Sequence, residues 1–227
     1  MGANGSQSKR DDRTQTAARP VVTLSLNGAD GAIHLPAIKA VFLDAAIDMA
    51  NFDAVVFTSK QAVIALDRLS GEWKRLKIFS IAAATSRAVS DRGGEVFFES
   101  IAASADRLAE SIAARYGGLR FLYPRARVVW GDLEERLDRA NVVCHSVVLY
   151  ETAPTKIDEN MIPPNAAIIF SAPSVVKSFF AQIAWRSDWR AVALGQSAAE
   201  TLKKYAPHTI SPRSDIKAAI AFAALAA

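Results

Sequence analysis

Hydroxyl side chains recur in this sequence at one kind of place, directly after a short apolar run and directly before an amphipathic one. Ala54 to Phe57 is followed by Thr58, Ser59 and Lys60, and Ile81 to Ala84 by Thr85 and Ser86. Ile168 to Phe170 is followed by Ser171, Ala172, Pro173 and Ser174, and Leu194 by Gly195, Gln196 and Ser197. If the apolar runs are strands and the next segments helices, each turn lies at a helix N-terminus. There the unsatisfied backbone N–H groups and the helix dipole favour an anion. Ser and Thr are also common N-cap residues, so singly Thr58, Ser59, Thr85, Ser174 and Ser197 read as caps. As a set opposed across a cleft they read as anion-binding turns. Lys60, Arg125 and Arg127 flank the turns and could contact carboxylates; solvated surface charge is the equal alternative. Tyr150 supplies a phenol able to donate a proton as a general acid, its alternative being a half-buried linker tyrosine.

Other chemistries lack their residues. His34, His145 and His208 are scattered, and no His, Cys, Asp and Glu cluster has metal-ligand spacing, so no metal site is expected. No Gly-x-Gly-x-x-Gly follows a strand, no Walker-type loop is present and no Gly-x-Ser-x-Gly elbow appears. Cys144 is the only cysteine, which excludes an internal disulfide; its apolar surroundings from Val142 to Val148 mark it as a small buried residue. The net charge is +4, but Lys9, Arg10, Arg13 and Arg19 against Asp11 and Asp12 put +2 of it in the first 20 residues. No basic run interleaved with aromatics remains, so no nucleic-acid partner is expected. No apolar segment is long enough to span a bilayer, and the N-terminus lacks a signal-peptide profile. A cytoplasmic monomer acting on a small molecule is the expectation.

The elements that must position these residues follow a regular alternation. Strands are expected at 54–57, 77–82, 95–98, 119–123 and 142–150, separated by helices at 60–69, 85–92, 104–116 and 131–140. A second run has strands at 166–170, 190–194 and 208–211, with helices at 174–184, 196–205 and 214–225. Strands that are apolar throughout and alternate with helices indicate an α/β fold with parallel sheets covered on both faces. The two runs look duplicated: Phe170 lies 170 − 57 = 113 residues after Phe57, and Leu194 lies 194 − 81 = 113 after Ile81. The second run lacks a first strand, which Val21 to Leu26 can supply. Domain 1 is then discontinuous, 20–33 plus 154–227, with domain 2 at 40–147 inserted into it. The chain crosses between them at 34–39 and 148–153, where two extended segments could pair as a ribbon. Residues 1–19 have almost nothing to bury and are expected to be a disordered tail.

Several of these pieces, in this order and spacing, resemble the uroporphyrinogen-III synthase family. They are Phe57-Thr58-Ser59 opening a helix, the turn from Ile81 to Ser86, Pro124-Arg125-Ala126, and Tyr150-Glu151-Thr152 before Pro154. Phe170 to Ser174 and Leu194-Gly195 complete the set, and the resemblance covers roughly residues 33 to 220. The sequence departs from the family pattern where the first strand ends Thr23-Leu24-Ser25 rather than Thr-Arg. Ala82 replaces a turn glycine, and Ala198 replaces a threonine.

The resemblance implies two flavodoxin-like domains joined by a two-stranded linker. It implies an enzyme that closes hydroxymethylbilane to uroporphyrinogen III with inversion of the last pyrrole ring and loss of water, without metal or organic cofactor. The substrate's carboxylates would be held by Thr58, Ser59, Lys60, Thr85, Ser86, Arg125, Ser171, Ala172, Ser174, Gly195, Gln196 and Ser197. Tyr150 would protonate or position the departing hydroxyl. The rival expectation is a non-catalytic two-lobed module that binds a tetrapyrrole or another anion, for which Ala82 and Ala198 are the suggestive features.

Overall fold

The computed structural model describes residues 18–101, 104–129, 131–213 and 215–225. The tail expected at 1–19 falls outside the described residues up to position 17. Arg19 is tied down, its backbone N–H donating to Ala224 and its guanidinium to the Asn165 carbonyl. Contacts divide the chain into two compact units, one drawn from residues up to Ala37 and from Thr155 onward, the other Ile38–Pro154.

The first unit begins with β1 (Val21–Thr23) and β2 (Ile33–His34). Residues 24–32 between them form bends and turns, with Gly31 at φ +86°, a conformation open to glycine. The chain then enters the second unit with β3 (Ile38–Phe42), β4 (Ala54–Phe57), α1 (Lys60–Leu69), β5 (Lys77–Ser80) and α2 (Ala83–Ser90). There follow β6 (Val96–Glu99), α3 (Ala105–Tyr116), β7 (Phe121–Ala126), α4 (Leu133–Arg139) and β8 (Cys144–Pro154). Back in the first unit come β9 (Ala167–Phe170), α5 (Pro173–Phe180), β10 (Arg190–Ala193), α6 (Gln196–Leu202), β11 (His208–Ile210) and α7 (Ile216–Leu225).

In the second unit the sheet order is β3-β8-β7-β4-β5-β6, parallel except for the antiparallel edge pair β3–β8. Every residue of β4 is buried because both faces are covered. Val55 and Phe57 pack with α1 through Ala62, Val63 and Leu66, while Ala54 and Val56 pack with Leu108, Ile112 and Leu137 of α3 and α4. That alternation is the two-residue period of a strand. Trp73 is fully buried edge-on against Phe57, with ring centroids 5.4 Å apart, and its Nε1–H donates to Asp67 at 3.2 Å. At the leading ends of β4 and β7, Arg120 grips Asp53 through Nε and Nη2, each 3.0 Å from a carboxylate oxygen. These bonds hold the Asp53 carboxyl down to about 2.

The first unit's sheet runs β11-β10-β9-β1-β2 and is parallel throughout. Its β1, from the start of the chain, pairs with β9, Val21 opposite Ala167. The α7 residues Ala219, Ile220 and Ala223 cover Val21 and Ile169.

The repeat seen in the sequence is a repeat of hydrogen-bond register. Ala54 pairs with Lys77 in one sheet and Ala167 with Arg190 in the other, so 167 − 54 = 190 − 77 = 113. The closing bond repeats too: Ile81 N–H donates to Phe57 O at 3.0 Å, and Leu194 N–H to Phe170 O at 2.9 Å. The chain order differs. Counting strands as they occur, β1, β2, β9, β10 and β11 lie in the order 2-1-3-4-5, whereas β4 to β8 lie in the order 3-2-1-4-5. The two become identical if β7 and β8 stand for β1 and β2. One layout has therefore been cut at two different connections.

Candidate active site

The last buried residue of β4, Phe57, hands the chain to Thr58 and Ser59, and α1 begins at Lys60. Ser59 is extended (φ −154°, ψ 152°), and its Oγ accepts the Ala62 N–H at 3.1 Å, so it is a true N-cap. The same oxygen lies 2.7 Å from the Tyr150 hydroxyl. Thr58 Oγ1 lies 3.2 Å from the hydroxyl of Tyr123. One two-residue turn thus holds two phenols, one from β7 beside it and one from β8 beyond.

Sheet irregularity helps to aim them. Arg125 pairs with Val148 but Ala126 with Tyr150, so Leu149 is an extra residue in β8. Such a bulge re-aims the side chain that follows it. Tyr150 accordingly packs with the α1-side core, while Tyr123 packs with the α3–α4 side. Both close on a cavity of about 240 Å³ at the carboxyl ends of β4 and β7, whose other walls include Ile81, Ala105, Val128, Val129 and Leu133. The sheet order reverses between β4 and β7, the usual place for a ligand in an open α/β sheet.

Burial is the main influence on both phenols. Tyr150, 8% exposed, is pushed above the ordinary phenol value of 10.0 by desolvation, which the Ser59 hydrogen bond partly offsets. Tyr123, 4% exposed, is pushed up by desolvation, with the bond to Thr58 opposing and the Tyr150 charge adding to the rise. Each is a neutral hydroxyl at neutral pH and each can donate a proton or a hydrogen bond.

The remaining expected residues sit in several environments. Lys60 is exposed in the first turn of α1. The helix expected from Thr85 starts earlier, at Ala83, which puts Thr85 inside α2 and leaves it 4% exposed. Ser86 donates to the Glu99 carboxylate. Arg125 donates to the Ala126 carbonyl at 3.1 Å, and its Nε is 3.4 Å from Glu134, close enough for charge pairing but without hydrogen-bond alignment. It lines an adjoining cavity of about 720 Å³ with Glu134, Cys144 and His145, and Tyr123 and Val129 are walls of both cavities. Arg127 pairs with Glu151.

In the other unit the N-cap positions belong to Ala172 and Gly195, neither of which caps with a side chain. Ser171 and Ser174 are half-buried, with Pro173 at the first helical position, where its missing N–H costs nothing. Gln196 donates to Glu200 at 2.8 Å, and Ser197 is exposed. Of the four turns, only that of Ser59 carries a side-chain cap.

Thr58, Ser59 and Tyr150 are therefore brought together, whereas Lys60, Thr85, Ser86 and Arg125 do not line their cavity. Sequence reasoning missed Tyr123. It lies in the apolar run Phe121–Pro124, which reads as core, and its partner Thr58 is 65 residues away. No group of three or more His, Cys, Asp or Glu side chains is arranged to hold a metal among the described residues.

Two parallel-dominated sheets alternating with helices define an α/β protein, with two buried phenols at the carboxyl ends of the strands of one unit. The sequence matches the family model described as Uroporphyrinogen-III synthase HemD over residues 22–221, and the chain belongs to the uroporphyrinogen-III synthase family. It is a cyclising lyase of haem biosynthesis, converting hydroxymethylbilane to uroporphyrinogen III. The fold is similar to that of the uroporphyrinogen-III synthetase from Helicobacter pylori 26695, at 20% identity and a TM-score of 0.74, covering 90% of this chain and 98% of that one. The wild-type uroporphyrinogen III synthase from the extremely thermophilic bacterium Thermus thermophilus matches at 14% identity and a TM-score of 0.41, covering 90% and 96% of the two chains. No curated protein sequence gives a significant match.

Proposed function

We propose that Tyr150 is the proton donor of the cyclisation and that the cavity beside Thr58 and Ser59 receives the hydroxymethyl end of the substrate. The observation that carries this reading is the 2.7 Å contact between Ser59 Oγ and the Tyr150 hydroxyl. We take the Ser59 hydroxyl, polarised by the Ala62 N–H on its oxygen, as the donor to the Tyr150 oxygen. The Tyr150 proton is left free for the substrate.

Transfer of that proton to the hydroxymethyl oxygen breaks the carbon–oxygen bond. Water leaves, and the pyrrole nitrogen stabilises the resulting azafulvene cation. The last ring attacks through its substituted position to give a spiro intermediate, which fragments and recloses with that ring inverted. Loss of a proton from the reclosed carbon restores the pyrrole, and the Tyr150 phenolate takes a proton back. Ser59 and the N-terminal end of α1 favour the transient phenolate. Closure without inversion is facile for such a molecule, so much of the catalysis lies in holding the ends in the inverting geometry.

The substrate's carboxylates are assigned to Thr58, Ser59, Lys60 and Arg125 in one unit, and to Ser171, Ala172, Ser174, Gly195, Gln196 and Ser197 in the other; Thr85, buried in α2, and Ser86, which donates to Glu99, drop out of the expected set. The N-terminal ends of α1, α2, α5 and α6, where the helix dipole favours an anion, support the assignment. The units act as two flavodoxin-like domains, a reading supported by the 2-1-3-4-5 strand order of the first unit and by the same layout, cut at another connection, in the second. The two crossings at 34–39 and 148–153 serve as the two-stranded linker, a reading supported by the pairing of Ile38 with Pro154 and of Lys39 with Ala153. No described helix is long and apolar enough to cross a membrane; a cytoplasmic monomer is the proposed state.

The test is a coupled assay with freshly made hydroxymethylbilane, with oxidised isomers I and III separated by chromatography. Isomer III in excess of the protein-free control is expected, and Tyr150→Phe should lower kcat at least a hundredfold while KM changes little. Isomer I alone from folded wild-type protein would favour the non-catalytic module. Wild-type turnover in the variant would remove Tyr150 from the chemistry.

A further inference from the structure

Tyr123 is a second phenol in the same cavity. Its ring is fixed on β7 and packs in the α3–α4-side core with Phe79, Phe121 and Leu133, and Thr58 is the hydrogen-bond partner of its hydroxyl. With Thr58 as the donor in that bond, the Tyr123 hydrogen is left for the cavity that its side chain lines. The two tyrosines come from opposite faces of the sheet and meet at its carboxyl edge. They stand on either side of the Thr58–Ser59 turn, above walls that are otherwise apolar.

The cavity holds about 240 Å³. Pockets that enclose a whole small ligand measure roughly 300–1,000 Å³. This one therefore takes a part of a four-ring chain, one planar ring with its polar substituents toward the hydroxyls.

We propose that Tyr123 is a substrate-positioning contact: held by Thr58, its phenol donates a hydrogen bond to a side-chain carboxylate of the ring whose hydroxymethyl group faces Tyr150. The inference rests on the reading of this cavity as the reaction site. It divides the labour between the phenols, with Tyr150 giving up its proton and Tyr123 keeping its own. Ionisation of Tyr150 makes ionisation of Tyr123 harder, so the second phenol remains a donor while the first is charged.

The two roles predict opposite kinetic signatures. In Tyr123→Phe the lost hydrogen bond to an ion should raise KM about tenfold with a smaller fall in kcat, the reverse of Tyr150→Phe. Thr58→Val should follow Tyr123→Phe, which serves if the tyrosine variant does not fold. Affinity for reduced uroporphyrinogen III, read by quenching of tryptophan fluorescence, should fall in parallel, with the melting temperature as the control for a purely structural effect.

Unchanged KM and affinity in folded Tyr123→Phe, or in Thr58→Val, would overturn the contact. If wild type made isomer III in that case, the proposed function would still stand. Conversely, weaker binding by the variants of a wild type that makes only isomer I would keep the contact and remove the catalytic reading.

Discussion

Tyr123 and Tyr150 are both shifted by burial, and the shift has a consequence for stability as well as for chemistry. Below the ordinary phenol value of 10.0 both groups are neutral whether the chain is folded or not, so they add nothing to the pH dependence. Above it the unfolded chain releases protons that the folded chain keeps. The unfolded state then binds fewer protons, and stability falls as pH rises. Cys144 acts in the same sense from a lower starting point, since burial pushes its thiol from 9.0 up to about 12. We expect the melting temperature to drop between about pH 8 and pH 11, and to drop less in Tyr150→Phe and in Cys144→Ala. An equal drop in all three proteins would show that these groups are not held neutral. A spectroscopic titration at the phenolate absorbance would show Tyr123 and Tyr150 ionising late.

Elements here meet through side chains placed far apart in sequence, and Gly94 shows how tightly. It lies between α2 and β6, and a Cβ there would sit 2.9 Å from two Trp73 ring carbons and from Val89. Trp73 is wholly buried against Phe57, the residue before the Thr58–Ser59 turn, so its ring cannot swing away freely. Gly94→Ala should therefore destabilise the protein by about 1–3 kcal/mol, the usual cost of overpacking. Chemical denaturation would measure it, and a change within about 0.5 kcal/mol, ordinary for a surface site, would show that the Trp73 site can relax. At the same scale the sequence was informative about helices and less so about their ends. The apolar positions Ala62, Val63 and Leu66 mark α1 over Lys60–Leu69, as expected. Helix α5, expected over 174–184, starts at Pro173 and stops at Phe180. Helix α6, expected over 196–205, stops at Leu202.

For the molecule as a whole, the repeated register and the differing chain order have a practical implication. The unit Ile38–Pro154 is one continuous stretch, with six strands, four helices and cores on both faces of its sheet. It also contains Thr58, Ser59, Tyr123 and Tyr150, the complete set of hydroxyls around the cavity. A fragment spanning residues 38–154 should fold cooperatively alone, with a single denaturant transition and a far-UV spectrum of mixed helix and strand. A non-cooperative or disordered fragment would show that its core is insufficient without the rest of the chain. The other unit, assembled from two separated stretches, has no such continuous fragment.

Much of this protein was legible in the sequence because the signals are local. Alternating apolar runs and amphipathic segments mark α/β units, and the 113-residue offset marks the duplication, since register between β4 and β5 or β9 and β10 depends on residues within one βαβ unit. The turn motifs were enough to point to the family, and they placed Ser59 and Tyr150 among the candidates. Only the tertiary structure decided what those side chains do. Tyr150 reaches Ser59 across 91 residues and Tyr123 reaches Thr58 across 65, through the order of β4, β7 and β8 and the extra residue Leu149. Thr85 disappears into α2, and Ser86 is taken by Glu99, because helix start and strand neighbour are set by packing. A hydroxyl looks alike in sequence whether it caps a helix, bonds a carboxylate or faces a substrate. Its partner is chosen by which strands lie side by side, and strand order is a property of the folded chain.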